Sequence, residues 1–147
     1  MSDVQARDWE GHEWSDWYLL DESIRAHAAI APNEEGIYRI RCQGDEGLIY
    51  IGETGASIRG RFRQLRKATE HAAGGKPPGP PHVAGGCVHS HEQRGEVIEV
   101  SWFATRGIDP RDRFGVECEL ITAYRKSAGR NPTCQFAGKL EAEPRSS

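Results

Sequence analysis

The chain has 147 residues, 37% hydrophobic and 28% charged, with Gly 17 and Pro 8, a composition that points to one globular domain rich in loops and excludes fibrous, wholly disordered or multidomain organisation. No run approaches the ~20 apolar residues needed to span a bilayer, and the opening MSDVQARDWE lacks the basic-then-apolar layout of a secretory leader, so a cytoplasmic protein with no membrane partner is expected. The net charge of −3 hides a split, because residues 1–35 carry nine acidic and two basic side chains (net −7) and residues 36–147 carry thirteen acidic and seventeen basic (net +4).

The first 35 residues hold Trp9, Trp14 and Trp17 and read as an acidic arm that packs on the main domain. Within it, Asp21 is placed to cap a short helix over Glu22–Ala29 before Pro32 stops it. From Gly36 the period changes: Tyr38, Ile40 and Cys42 alternate with Arg39 and Arg41, a half-buried strand. Gly44-Asp45-Glu46-Gly47 is a turn signal and Leu48–Gly52 a second apolar run, so Ile37–Ile51 is expected to be a β-hairpin. Ser57 then caps a helix to about Ala72, with Ile58, Phe62, Leu65 and Thr69 on one face. Its charge is concentrated: Arg59, Arg61, Arg63, Arg66 and Lys67 lie between Thr54 and Thr69 with no acid among them, the electrostatic footprint of a phosphate backbone or else a solvated helix face. Arg61 sits at the edge of the apolar stripe and is the arginine expected to be partly buried.

Residues 74–86, with Lys76-Pro77-Pro78-Gly79-Pro80-Pro81, read as an inserted loop. His82, Cys87, His89 and His91 follow a spacing that matches no common structural zinc pattern, and so are read as parts of a substrate-facing loop with histidines available for phosphate. Cys42, Cys87, Cys118 and Cys134 contain no CxxC pair, which argues for free thiols. Val97–Thr105 alternates as a third strand, with Ile98, Val100, Trp102 and Ala104 on one face. The last helix has Asp109 as N-cap, Pro110 at N1, Asp112 at N3 and Gly129 past its end. On it, Glu117 is centred among Phe114, Leu120, Ile121 and Tyr124, a carboxylate on an apolar stripe that needs a cation or an arginine to offset its lost hydration. An ion pair, with Arg61 as one partner, and a metal ion are both open explanations at this point.

Gly36-Ile37-Tyr38 and Tyr50-Ile51-Gly52, separated by eleven residues and followed by a helical arginine nine residues beyond Gly52 and a later helical glutamate, resemble the GIY-YIG nuclease family over roughly Gly36 to Phe136. The resemblance implies an α+β domain with a small three-stranded antiparallel sheet flanked by helices over residues 36–138. The arm at 1–35 precedes it, the Gly/Pro insertion at 74–86 interrupts it, and a polar tail follows at 139–147. It further implies an endonuclease that cuts phosphodiester bonds, with DNA as the partner, RNA not excluded and a homodimer possible. Tyr38, Tyr50, Arg61 and Glu117 match the family's catalytic positions, with Tyr38 as base, Tyr50 orienting water or phosphate, and one Mg2+ or Mn2+ on Glu117. Arg59, Arg63, Arg66, Lys67, His71, Asn131 and Gln135 are the candidate nucleic-acid contacts. The chain departs from the family pattern at Glu53, where some relatives have a lysine, and at Leu65, where others have a histidine. The late asparagine corresponds to Asn131 or Gln135. The alternative function is a nucleic-acid-binding module of the same fold with weakened catalysis.

Overall fold

The structure, a computed structural model, describes residues 3–75, 82 and 84–136; the proline-rich stretch of the insertion and the polar tail at 139–147 lie outside them. In chain order the elements are β1 (Tyr18–Leu19), α1 (Leu20–Ser23), β2 (Gly36–Cys42), β3 (Tyr50–Thr54), α2 (Ile58–Ala73), α3 (Gly85–Gln93), β4 (Ile98–Ala104) and α4 (Pro110–Ala128). The expected hairpin is there, with Tyr38 opposite Gly52 and Ile40 opposite Tyr50, and Gly44 at a φ of 90° lets its turn close. β4 pairs antiparallel with β2 on its other side.

The sheet has four strands in the order β1-β4-β2-β3, where three were expected. The added strand comes from the arm. β4 would otherwise expose a row of backbone donors and acceptors; Tyr18 and Leu19 pair with Val100 and Glu99, and Ser15 exchanges hydrogen bonds with the Trp102 backbone at 2.7 and 3.0 Å. The helix expected over Glu22–Ala29 is corrected to the single turn of α1. The Ser23 carbonyl accepts from both Ile30 and Ala31 (3.1 and 2.9 Å), which folds the chain back and ends the helix there.

The sheet separates two cores. On one face Tyr38, Ile40, Ile98, Val100 and Trp102 meet Ile58, Phe62 and Leu65 of α2 and Val88 of α3. The α2 periodicity was legible because burying each such side chain contributes roughly 1.5–3 kcal/mol, which sets the rotation of the helix. Ser57 caps it by accepting from the Gly60 N–H at 2.9 Å. On the other face Ile37 and Ile51 meet Trp9 and Trp14 of the arm and Leu120, Ile121 and Tyr124 of α4. Asp109 caps α4 through the Arg111 N–H (2.8 Å), and Gly129 ends it at a φ of 79°.

Three other expectations change. Gly85–Gln93 is helical, so the segment after the prolines is not loop. Packing overrides its glycines: Gly85 lies against the Ala68 backbone, where no Cβ fits, and Val88 is fully buried. Cys87 and Cys134 form a disulfide, leaving only Cys42 and Cys118 as free thiols; residues 47 apart in sequence are brought together by α3 docking on the C-terminal segment. Phe114 is 56% exposed while Arg113 is buried, so the first turn of α4 is rotated from its expected register. Arg113 faces inward because Glu35 and Glu53 each take it at 2.7 Å.

Candidate active site

Both glycines of the two triplets have a steric reason. A Cβ on Gly52 would lie 2.5 Å from the Tyr38 hydroxyl and 2.8 Å from Tyr50 Cε2, and one on Gly36 would meet the Phe103 carbonyl and Ile58 Cδ1 (2.6 Å). The motif therefore leaves room for the Tyr38 ring to lie across β3 and for α2 to start tight against β2. With that room, Tyr38 stacks beside Tyr50 at 6.0 Å between ring centroids and meets Phe62 edge-on at 5.3 Å.

His82 is buried over this pair. Its Nδ1 accepts from the Ala84 N–H at 3.1 Å, so the neutral ring carries its proton on Nε2, which donates to the Tyr38 hydroxyl oxygen at 2.8 Å. Burial, and after it the Arg61 charge, push the His82 pKa down to about 3; the ring is neutral across the physiological range and offers a fixed donor. This corrects the reading of His82 as a phosphate contact on a substrate-facing loop. This histidine comes from outside α2, a relation that the spacing could not reveal.

Arg61 is half-buried at the edge of α2, as expected, and donates to the Gln64 amide oxygen at 2.8 Å. Burial, followed by the proximity of Tyr50, pushes the Tyr38 hydroxyl pKa well above its ordinary 10, while Arg61 opposes the rise through its charge and a hydrogen bond. Tyr50 is raised too, chiefly by burial and then by Glu117; Arg61 and a hydrogen bond from Tyr38 act the other way. Glu117 is half-buried, and burial first, Glu53 second, bring its carboxyl up to about 7, with the Glu53 backbone N–H and Arg61 pulling it down. Tyr38, Tyr50, Arg61 and Glu117 thus act on one another at a single place, which the expected site requires.

Glu53 and Arg113 were missed as neighbours of this site. Glu53 is tied to Arg113 Nε at 2.7 Å, and Glu35 takes Nη1 of the same guanidinium. Gly55 leaves room for it, since a Cβ there would stand 2.5 Å from Arg113 Nη2. A buried guanidinium between two carboxylates holds the end of β3 against α4 and so fixes the carboxylate that stands beside Glu117.

The candidate nucleic-acid contacts separate. Arg63 and Lys67 are exposed on α2, and His71 is half-buried near its end. Arg59 donates to the Ala31 carbonyl at 2.8 Å. Arg66 is engaged by Asp21 and Glu92, both at 2.8 Å, which reduces its charge toward an external phosphate. Asn131 accepts from Arg125 at 3.4 Å. Gln135 places its amide on the backbone of Ile51, accepting from the N–H at 2.8 Å and donating to the carbonyl at 2.7 Å. Among the described residues, no helix is long and apolar enough to cross a membrane.

No family model matches the chain, and neither any curated protein nor any solved structure does so. Functional inference rests on the side chains themselves.

Proposed function

We propose that the chain is a metal-dependent endonuclease that hydrolyses phosphodiester bonds in DNA, using Tyr38, Tyr50, Arg61 and Glu117. The observation that supports this most is the situation of Glu117: a carboxyl held at about 7 by burial and by Glu53, beside an arginine and two stacked tyrosines. A structural carboxylate at such depth is ordinarily matched by a cation of its own. Glu117 and the neighbouring Glu53 offer hard oxygen donors with excess negative charge, the donor set that magnesium or manganese takes through one or two carboxylates. An ion held by Glu117 would supply Lewis-acid polarisation of the phosphate and charge to meet the leaving oxygen.

The remaining roles belong to the chain's own side chains. Arg61 presents fork-shaped donors to the equatorial phosphate oxygens, where charge accumulates. Tyr38 acts as base in its phenolate form. Its own hydroxyl proton leaves first, along its hydrogen bond to Tyr50 toward solvent; the His82 Nε2–H and Arg61 stabilise the phenolate oxygen, and the phenolate then takes the proton of the attacking water. Because His82 does not charge near neutrality, it keeps donating and does not return a proton to Tyr38. Tyr50, which receives a hydrogen bond from Tyr38, orients that hydroxyl. The exposed Arg63 and Lys67 extend the positive surface along α2 for the nucleic-acid backbone.

The test is wild type beside Glu117→Ala and Arg61→Ala on supercoiled plasmid and on an RNA duplex, with magnesium or manganese and then with EDTA. Cleavage of plasmid by wild type alone, lost in EDTA, is the expected result. Equal cleavage by all three overturns the residue assignment. Plasmid binding with steep salt dependence and no cleavage would instead establish a binding module, and cleavage confined to RNA would change the substrate.

A further inference from the structure

Three of the four cysteines lie in two side-chain groups that share His91. Cys42 lies at the end of β2, Cys87 and His91 lie one turn apart on one face of α3, and Cys134 lies in the segment after α4. The Cys87 and Cys134 sulfurs and a His91 ring nitrogen are all within 4.8 Å of one another, and so are the Cys42 sulfur, a His91 nitrogen and a Glu96 oxygen. Cys42 Sγ stands 3.6 Å from His91 Nδ1, Cys42 and Cys134 are each 1% exposed, and Glu96 bonds His91 Nδ1 directly.

The disulfide uses two of these groups, and in that state Cys42 and His91 are both held by Glu96. We propose that, when the Cys87–Cys134 bond is reduced, Cys42, Cys87, His91 and Cys134 form a structural zinc site. The donor set is Cys3His, a standard closed zinc shell, and in a tetrahedral site with Zn–S near 2.3 Å neighbouring ligand atoms stand about 3.5–3.8 Å apart, the separation already seen between Cys42 and His91. Three thiolates and one zinc leave a net charge of −1, and the Arg94 guanidinium, with Nη2 2.9 Å from His91 Nδ1, is placed to offset it. The Glu96 carboxylate bonds that same nitrogen and accepts from Cys42 at 3.3 Å, so it gives up both groups when the metal binds. The ligands come from three separate segments, so the spacing of His82, Cys87, His89 and His91 could not disclose the set.

The chemistry balances. A dithiol reductant gives the disulfide two electrons and two protons and itself becomes a disulfide; zinc binding then releases three thiol protons, from Cys42, Cys87 and Cys134, to solvent. The site would clamp α3, and with it the segment carrying His82, to the sheet and to the C-terminal segment.

The experiment uses the full chain, reduced with a dithiol, freed of metal, and titrated with zinc alone and with cobalt(II) alone. One zinc per chain by mass spectrometry is expected, together with the thiolate-to-cobalt charge-transfer band and the strong visible absorption of a tetrahedral site. Cys42→Ser should lower the charge-transfer intensity by about a third and Cys118→Ser should leave it unchanged; re-oxidised chain should bind neither metal. Wild type that takes up no zinc, or that binds cobalt without thiolate charge transfer, overturns the site without reliance on any variant. None of these readouts is cleavage, so the outcome is independent of the proposed nuclease activity.

Discussion

Strand β2 buries Arg39 on one face and Tyr38 on the other, and the surroundings of the two differ. Under the arm, Arg39 is fully buried and every part of its guanidinium is met. Nε donates to Ser101 Oγ, Nη1 to the Val4 carbonyl at 2.7 Å and Nη2 to the carbonyls of Gln5 and Ala6, while the Trp14 and Trp17 rings lie 4.2 and 4.7 Å from its carbon. Burial still lowers its pKa to about 9, so it stays charged near neutrality. Under α2, Tyr38 takes hydrogen bonds from His82 and Arg61 and gives one to Tyr50, and Glu117 beyond it is a carboxyl held at about 7. One face holds a charge fixed by backbone carbonyls and aromatic rings; the other gathers titratable side chains that act on one another and whose pKa values burial displaces, the pattern of a functional site.

That contrast yields a series of tests. The largest effect is expected at Glu117. Glu117→Gln should lower cleavage by about 10²–10³-fold or more. It should also raise stability at pH 8, by about 1–2 kcal/mol once the group's residual exposure is discounted, as read by denaturant titration; a loss of stability would show that Glu117 is structural. Arg39→Leu should do the reverse. It leaves three buried carbonyls unmatched and should cost about 3 kcal/mol or more, a Tm drop of roughly 10 °C, with cleavage retained at temperatures where the variant is folded. Retention of the wild-type Tm would erase the contrast.

A smaller effect belongs to His82. His82→Gln should reduce cleavage about tenfold and flatten the acid limb of the stability profile. The folded ring protonates only at about 3, against an ordinary 6.5, so between those values the unfolded chain holds the extra proton and stability falls as pH drops. Glu117 acts with the opposite sign: its folded pKa of about 7 exceeds the ordinary 4.5, and the stability it contributes is lost as pH rises through that window. Thermal melts of the two variants from pH 4 to 8 should therefore diverge from wild type in opposite directions. Smallest is the pair at the C-terminal segment, where Gln135→Ala should cost about 1–2 kcal/mol for its two backbone hydrogen bonds and Asn131→Ala under about 0.5.

Much of this fold was legible because it follows local periods. The hairpin, the β4 alternation, the apolar face of α2 and both caps of α4 depend on neighbours a few residues apart. Arg61, at the edge of an apolar stripe, and Glu117, centred on one, were singled out by the same arithmetic. What was missed depends on distant partners. β1 is two residues long and has no period of its own; α3 begins with glycines that read as loop. Arg113 displaced Phe114 from the core only because Glu35 and Glu53 stand opposite it. His82 reached Tyr38 across 44 positions, and the cysteine cluster needs three segments at once.

The Gln135 amide on Ile51 bears on how two copies could meet. β3 is an outer strand of the sheet, and its edge at Ile51 is closed by a side chain that imitates a neighbouring backbone; Cys134 extends the closure by donating to the Ile49 carbonyl at 2.7 Å. At the opposite edge β1 offers two residues, too short a template for another chain. Both margins of the sheet, over the described residues, are thus poor templates for strand exchange. A pair of copies making opposed nicks would have to be assembled by helices, by the arm or by the duplex itself.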